Sequence, residues 1–416
     1  MNGRIILASL LVVLSAGGAW ASERSLFEEA EEHFENKSYH LALEDYERLI
    51  TEYPGSRHLP LALYKAALSA EYLYNYERTA EYFLRLTRDF PDTYWGALAM
   101  LKVAENLWWW SHPELAYYQS YYMAQKLKLD AAAVMEKVKG RLESPYDREC
   151  VDRLARLYME IATMNLMNED GSYVEGFDAE AWWWEKYERV VELGPSPEIA
   201  QQAYFAMGNR ELSAVYALPY PEERPKLPEW RALMAERRSQ NAEILARADR
   251  RWAPMLQKWP DCKSAYDVAV ARAGYLEVFM DSPAEALEIY RDAAARFADT
   301  WDSYGGARDN AKRLSTPHLQ LPQVSGVLPT GEVIALSYTS RLADYAELRL
   351  YPLDSQRLMA FYDGYYDKVD KTKDTRPDLA GWEPTAVYSQ QLPGEDGHNV
   401  FYNEIALPNP GPGLYL

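Results

Sequence analysis

The sequence has few cysteines and no excess of basic charge, and both shortages restrict what the protein can be. Its 416 residues include only two cysteines, Cys150 and Cys262, too few for a disulfide framework. They either form one bridge or are two separate buried thiols. The chain has 44 Lys and Arg against 63 Asp and Glu, a formal net charge of −19. This balance argues against nucleic acid as a partner and against docking on anionic lipid, because both attract basic faces.

The usual sequence signatures of catalysis and cofactor binding are also missing. The chain has no HExxH motif, no Gly-x-Ser-x-Gly elbow and no Gly-rich phosphate loop ending in Lys-Ser or Lys-Thr. For His33 and His40, a solvated or capping role is the preferred interpretation. Residues 168–172 (NEDGS) fail as a calcium loop, since its glycine would place Leu166 and Phe177 where carboxylates are required. We therefore predict no catalytic residue, no metal ligand and no cofactor.

Long apolar runs are rare, and the clearest lies at the N-terminus. Residues 5–14 are apolar except for Ser9 and follow Arg4, and Ala19-Trp20-Ala21 is typical of a signal-peptide cleavage site. The run is shorter than the roughly 18 residues that a transmembrane helix needs. We predict a Sec signal peptide over residues 1–21, cleaved after Ala21, and a secreted or periplasmic mature chain with no stable membrane span. An uncleaved N-terminal anchor is the alternative.

Two segments near the N-terminus repeat one pattern. Residues 39–56 (YHLALEDYERLITEYPGS) and 76–93 (YERTAEYFLRLTRDFPDT) align when their prolines, Pro54 and Pro91, are superposed 37 residues apart. Aromatic and leucine positions then coincide along both segments. The chain therefore contains an internal repeat, which is the signature of a stacked architecture.

Apolar residues within each segment recur with helical spacing. Ala42, Tyr46 and Leu49 fall on one stripe, and the following proline ends the helix because it lacks an N–H. A partner helix is predicted before each segment, over residues 26–35 and 61–74. Since one helix pair cannot bury its own apolar face, neighbouring pairs should stack.

The same pattern returns later in the chain. It is found at residues 187–195 (YERVVELGP), 252–262 (ending in Trp-Pro-Asp-Cys) and 283–300 (PAEALEIYRDAAARFADT). Ala298 replaces the proline of the last copy and follows Pro260 by 38 residues. The middle of the chain departs from the pattern, with interruptions at residues 168–178 and 219–228, so the number of repeats there stays open.

These segments resemble tetratricopeptide repeats, in the variant whose second helix is closed by Tyr or Phe plus Pro. They are similar to repeats of bacterial envelope proteins such as the periplasmic coordinator of the Tol–Pal system. The resemblance implies a solenoid of helix hairpins over residues 22–315, with clear repeats at 25–107, degenerate ones at 108–252 and further repeats at 253–315. It also implies a groove that binds other proteins or peptides. A generic helical bundle is the alternative.

The composition changes after the helical region. Residues 316–326 contain two prolines and few helix formers, which predicts a linker. Alternating apolar residues beyond it predict strands at 332–338 and 346–351, with two more candidates at 399–407 and 413–416. A helix is predicted at 354–369 and an exposed loop at 371–378.

Residues 327–416 resemble a macroglobulin domain of bacterial alpha-2-macroglobulin-like proteins. The matching segments are Gly331-Glu332, Glu347-Leu-Arg-Leu-Tyr-Pro-Leu-Asp354, Ile405-Ala-Leu-Pro408 and Pro410-Gly-Pro-Gly-Leu-Tyr-Leu416. The resemblance implies a small all-β sandwich; an unrelated immunoglobulin-like or fibronectin-like sandwich is the alternative. Because the chain stops inside a predicted strand, we expect a truncated domain and a fragment of a longer protein. Neither cysteine begins the Cys-x-Glu-Gln sequence of the family's thioester, so this chain alone is not expected to trap a protease.

Two tryptophan triplets are the candidate protein-binding residues. They are Trp108, Trp109 and Trp110, and Trp182, Trp183 and Trp184. Three consecutive helical residues point about 100° apart, so at least one ring of each triplet must leave the buried stripe. An exposed Trp is a favoured hot spot for a protein partner and can also stack on a sugar ring. The alternative is that the rings fill gaps between helices.

The sequence thus predicts a mostly α fold, a solenoid of helical hairpins, followed by an incomplete all-β sandwich. The function that it favours is an exported, non-catalytic protein–protein interaction protein. By resemblance, it would belong to a bacterial envelope protease-inhibitor or defence protein. The alternatives are the helical superstructure of a cell-wall-active enzyme and a glycan-binding envelope protein.

Overall fold

A computed structural model describes residues 23–110, 117–218, 229–297, 300–301, 306–320, 334–354, 356, 381–392 and 401–407. The chain divides into two compact units, Met1–Tyr204 and Phe205–Leu416. The described part is mostly helical, with antiparallel strands towards the C-terminus, which confirms the predicted fold class.

The helices follow one another along the first three quarters of the chain. Their bounds are residues 23–35 (α1), Tyr39–Glu52 (α2), Leu59–Tyr72 (α3), Tyr76–Asp89 (α4), Tyr94–Trp110 (α5), Tyr117–Val138 (α6), Tyr146–Ala162 (α7), Ala179–Leu193 (α8), Pro197–Leu212 (α9), Trp230–Lys258 (α10), Lys263–Phe279 (α11), Pro283–Arg296 (α12) and Ala307–Ser315 (α13). In the first unit each of α2 to α7 packs on the next helix, and in the second unit α10 to α13 pack in the same successive way.

The predicted helical stripe forms the core of the first hairpins. Ala42, Tyr46 and Leu49 of α2 are fully buried, as are Phe83 and Leu86 of α4. Small residues on the partner helices allow this close approach, because an alanine presents only a methyl group to the neighbouring helix. The copy on α12 is equally buried at its equivalent apolar positions.

Four helices close in the same way at their C-termini, whereas α8 ends differently, on a left-handed Gly194 whose N–H donates to the Val191 carbonyl. Four aromatic residues follow α2, α4, α10 and α12, and each donates its backbone N–H to the carbonyl four residues earlier. These bonds are Tyr53 to Leu49 (2.9 Å), Phe90 to Leu86 (3.0 Å), Trp259 to Met255 (2.8 Å) and Phe297 to Ala293 (3.0 Å). The aromatic residues of the sequence repeat thus coincide with helix ends at four places.

At two of these endings, the residue three positions after the closing aromatic caps the next helix. Thr93 Oγ1 accepts the backbone N–H of Gly96 at 3.0 Å. Cys262 Sγ accepts the N–H of Ala265 at 3.3 Å, in the equivalent position of its own hairpin. Both are N-caps, which satisfy a backbone donor that has no partner inside the helix. Cys262 is therefore a capping residue, and both cysteines are free thiols.

The middle of the chain is helical but less regular. The predicted interruption at 168–178 is a loop between α7 and α8, closed by a β-bridge between Met167 and Tyr173. Residues 219–228 lie outside the described part. The 29-residue α10 contains Pro254 in its interior and is much longer than the repeat predicts.

In the part of the chain that the structure describes, five strands form two small antiparallel sheets. They are β1 (His318–Gln320), β2 (Ile334–Arg341), β3 (Tyr345–Leu350), β4 (Ala386–Gln391) and β5 (Phe401–Leu407), ordered β1-β2-β5 and β3-β4. Tyr338 on the first sheet and Ala346 on the second share a small core with Leu392. The Tyr338 hydroxyl also donates to Gln390 Oε1 at 2.8 Å.

The strand predictions hold for β2, β3 and β5 within a few residues, but two strands were not predicted. β1 lies inside the segment predicted as a linker, where it pairs with the C-terminal end of β2. This part of the linker prediction is wrong because pairing with a neighbouring edge needs no apolar alternation. β4 was also missed. The predicted strand at 413–416, the loop at 371–378 and nearly all of the helix at 354–369 lie outside the described residues.

Candidate binding surfaces

The first tryptophan triplet ends a helix. Trp108, Trp109 and Trp110 form the last three positions of α5. Their side chains lie outside the described part of the structure, so their predicted binding role stays a prediction.

The second triplet lies in the first two turns of α8, which Asp178 caps by accepting the N–H groups of Glu180 and Ala181. Trp183 is buried and stacks on Tyr187, with ring centroids 4.0 Å apart. Trp182 and Trp184 are half-buried. As predicted, the three rings do not share one buried face.

The half-buried rings of this triplet have hydrogen-bond partners within the chain. The Trp182 indole N–H donates to the Ile161 carbonyl at 3.0 Å, and that of Trp184 donates to Glu180 Oε1 at 2.8 Å. The Trp182 indole therefore fastens α8 to the end of α7. These contacts give Trp182 and Trp183 a packing role, which was the alternative interpretation.

Trp182 borders a charged surface pocket formed by α6, α7 and α8. The pocket has a volume of about 310 Å³. Its lining residues are Glu136, Tyr158, Glu185, Lys186, Glu188, Arg189 and Glu192. The Lys186 ammonium lies 3.9 Å from the Trp182 ring centroid, so Trp182 contacts one of the lining residues.

Glu136 is the centre of the hydrogen bonds in this pocket. It accepts from both Arg189 Nε (3.0 Å) and Arg189 Nη2 (2.9 Å), and from the Tyr158 hydroxyl (3.1 Å). Lys139 Nζ lies 3.1 Å from its second oxygen. Burial raises the pKa of Glu136, but the donors outweigh it and the net pKa is lowered. The pocket thus holds a paired carboxylate, which suits a structural junction better than a proton-transfer group.

Sequence reasoning missed a group of aromatic residues at the turns of the first two hairpins, three of which are exposed and two half-buried. We call it the tyrosine cluster; its members are Phe34, Tyr39, Tyr72, Tyr74 and Tyr76. Tyr39 and Tyr72 stack with centroids 4.3 Å apart and an angle of 18° between the rings. Phe34 contacts both of them. Three members are among the most exposed large apolar side chains of the described residues: Tyr72 (54%), Tyr74 (78%) and Tyr76 (58%).

One group among the described residues has the donor types of a metal site. Glu29, His33 and Asp45 each offer a ligand atom, and these atoms lie within 4.8 Å of one another. His33 Nδ1 and Asp45 Oδ2 already form a 2.8 Å hydrogen bond, which accounts for the buried carboxylate. This partly buried pairing with Asp45 is the observed contact of the His33 side chain.

The loop at residues 168–172 has its own internal hydrogen bonds. Asp170 Oδ1 accepts both the backbone N–H of Ser172 (2.9 Å) and its hydroxyl (2.6 Å). The carboxylate thereby shapes a turn.

Among the described residues, no helix has the length and apolar character needed to cross a membrane. No protein-family model matches the chain, and no curated protein is significantly similar to it in sequence.

Proposed function

We propose that the protein is an exported, non-catalytic binding protein whose helical hairpins are tetratricopeptide-type repeats. The observation that supports this most is the repeated hairpin ending: four second helices close on an aromatic residue with the same backbone hydrogen bond. Such repeats contact mainly their neighbours and leave long side-chain surfaces available to partners. The exposed tyrosine cluster is such a surface.

The polar groups at the Trp182 and Glu136 sites already have hydrogen-bond partners within the chain, and this favours a binding function over catalysis. The α6–α8 pocket has its central carboxylate engaged by three different side chains. A general acid or base needs a pKa close to the working pH, whereas that of Glu136 is lowered from an already acidic value. The pocket therefore gives no support to the cell-wall enzyme alternative.

We further propose that the C-terminal strands belong to a macroglobulin-type module. Two of the segments that carry this resemblance overlap β3 and β5, and residues of both sheets share a small core. On this proposal the helical region is the recognition part of a bacterial envelope protease-inhibitor protein. Secretion or transport to the periplasm, with cleavage after Ala21, is part of the same proposal.

Export is tested by the mass of the protein recovered from the envelope fraction of a bacterial host. The expected N-terminus is Ser22. In an Ala21→Arg variant, a bulky charge stands at the cleavage position, so precursor should accumulate. A wild-type product that retains residues 1–21 would contradict cleavage.

Protein binding is tested by selecting displayed random peptides on the immobilised mature chain. Enriched peptides should be released by the soluble chain and should bind with one site per molecule. If no sequence is enriched, or if the chain instead clears cell-wall material in a zymogram, the proposed function is wrong.

A further inference from the structure

The turn of the second hairpin contains an unusual choice of residue. Tyr74 has a backbone φ of +59°, in the left-handed region that L-residues adopt at a cost and glycine adopts easily. Lys37 (φ +60°) and Asp281 (φ +54°) occupy the equivalent turns of two other hairpins, so the conformation belongs to the repeat. A tyrosine is the least expected of the three, since Asp and Asn tolerate this region better.

Folding does not account for this tyrosine. Its side chain is 78% exposed, so it contributes little to the core. It stands between Tyr72 and Tyr76, which are also exposed, and its ring lies 6.4 Å from that of Tyr76. The turn thus holds three aromatic faces towards solvent, and exposed tyrosines of this kind are typical anchors of protein interfaces.

One ring of the cluster, that of Phe34, already contacts a cation of its own chain. The Lys65 ammonium lies 4.2 Å from the Phe34 ring centroid, in the position of a cation–π contact. Residues 23–93 carry 15 Asp and Glu against 8 Lys and Arg. Two exposed carboxylates, Glu35 and Glu77, directly follow Phe34 and Tyr76 in the chain. Aromatic faces within an acidic surface are complementary to Lys and Arg side chains.

We propose that the tyrosine cluster binds a basic segment of a partner protein, with Lys or Arg side chains over the rings of Tyr72, Tyr74 and Tyr76. This rests on the proposed binding function but names a surface at the hairpin turns and the chemistry of its partner. The rings would position the cations through cation–π contacts, and the surrounding carboxylates would attract the basic segment electrostatically.

The test measures fluorescence anisotropy of a labelled Lys/Arg-Ser peptide added to the mature chain at physiological ionic strength. A peptide with Gln in place of Lys and Arg is the ligand control. Tyr74→Gly removes one ring and also removes the strain of holding an L-residue in the left-handed backbone conformation, so the melting temperature of this variant should not fall. Combined with Tyr72→Ala, it should weaken binding about tenfold, the range of cation–π and hot-spot losses. Tyr173→Ala removes a ring of similar exposure (68%) elsewhere in the same unit and should leave binding unchanged.

Equal affinity of the wild type and the Tyr72/Tyr74 variant would overturn the inference, since attraction to an acidic chain alone would then explain binding. Equal binding of the Gln peptide would overturn it as well. If peptide selection yields neutral sequences that still bind the Tyr74→Gly variant, the general binding function stands and only this inference fails.

Discussion

Gly208 on α9 gives the sharpest test of the helical packing. A Cβ built on this glycine would lie 2.0 Å from Trp252 Nε1, 2.2 Å from Cε2 and 2.5 Å from Cδ1. Trp252 is fully buried on α10, and its indole N–H donates to the Phe205 carbonyl at 3.3 Å. Gly208→Ala therefore forces a rigid indole, rather than a flexible chain end, out of its place.

The magnitude follows from three effects. Overpacking costs about 1–3 kcal/mol, and a buried indole N–H that loses its acceptor costs about 1–3 kcal/mol more. The better helix propensity of alanine offsets about 1 kcal/mol. We expect Gly208→Ala to lower the free energy of unfolding by about 1–5 kcal/mol, the opposite sign to an ordinary Gly→Ala change within a helix.

Gly274 on α11 is the matched control. Its added Cβ would meet only the Tyr290 hydroxyl at 3.5 Å, an ordinary contact. Gly274→Ala should therefore stabilise the protein by about 0.5–1 kcal/mol. Urea denaturation followed by circular dichroism at helical wavelengths measures both variants. In a Trp252→Phe background the cost of Gly208→Ala should shrink, because the clashing indole atoms are gone. Equal stability of the two alanine variants would refute the α9–α10 contact.

Four further experiments test other parts of the structure. Cys262→Ser should keep the N-cap of α11 and its stability, whereas Cys262→Ala should cost about 1 kcal/mol in thermal denaturation; equal effects would contradict the capping role. Asn241→Leu should lower the free energy of unfolding by about 2–4 kcal/mol in urea denaturation, because the Tyr216 backbone and the Phe279 carbonyl would lose their hydrogen-bond partner. A smaller loss than for Asn168→Leu, the control at an exposed site, would contradict this. Burial raises the pKa of the Cys150 thiol to about 11, so at pH 8 a thiol reagent should label Cys262 first and Cys150 only after unfolding; prompt labelling of both would count against its burial. The pKa of Glu136 is lowered in the folded protein, so its ionised form adds to the free energy of unfolding at pH values above the ordinary carboxylate pKa. This contribution is lost as the pH falls through the pKa of Glu136 in the folded protein. Glu136→Gln should therefore make the free energy of unfolding depend less on pH on the acid side, and an unchanged pH dependence would disprove the linkage.

Sequence reasoning succeeded where a local signal fixed the outcome. Pro54 and Pro91 marked the ends of α2 and α4, and the spacing of Ala42, Tyr46 and Leu49 identified the buried stripe. Both signals act within one helix, so neither depends on knowing which distant residues are neighbours. The same is true of the alternation that located β2, β3 and β5.

The missed elements depend on partners far away in the chain. β4 has no fully buried residue. Its apolar Val387 is exposed, whereas its polar Gln390 faces inward and contacts Tyr338, which is the opposite of the apolar-in, polar-out pattern expected of a strand. β1 is exposed throughout and is defined only by its pairing with β2. Without a buried apolar face, neither strand has a periodicity that a single sequence can reveal.

The candidate surfaces were found only in part for the same reason. The triplet at residues 182–184 was visible as composition, but the partner of Arg189 in the adjoining pocket is Glu136, 53 residues earlier. The tyrosine cluster joins Tyr39 to Tyr72 across two hairpins. Its signal in the sequence was the run Tyr72-Leu-Tyr-Asn-Tyr76, in which aromatic residues occupy a turn where polar residues or glycine are usual.

Hydrogen exchange of the mature chain, with and without a selected peptide, tests the central claim most directly. If the helical hairpins are the binding part, peptide should slow exchange in a contiguous set of amides within residues 23–315 and leave the strands unchanged. A selected peptide that protects only the strands, or no amides at all, would contradict binding by the hairpins.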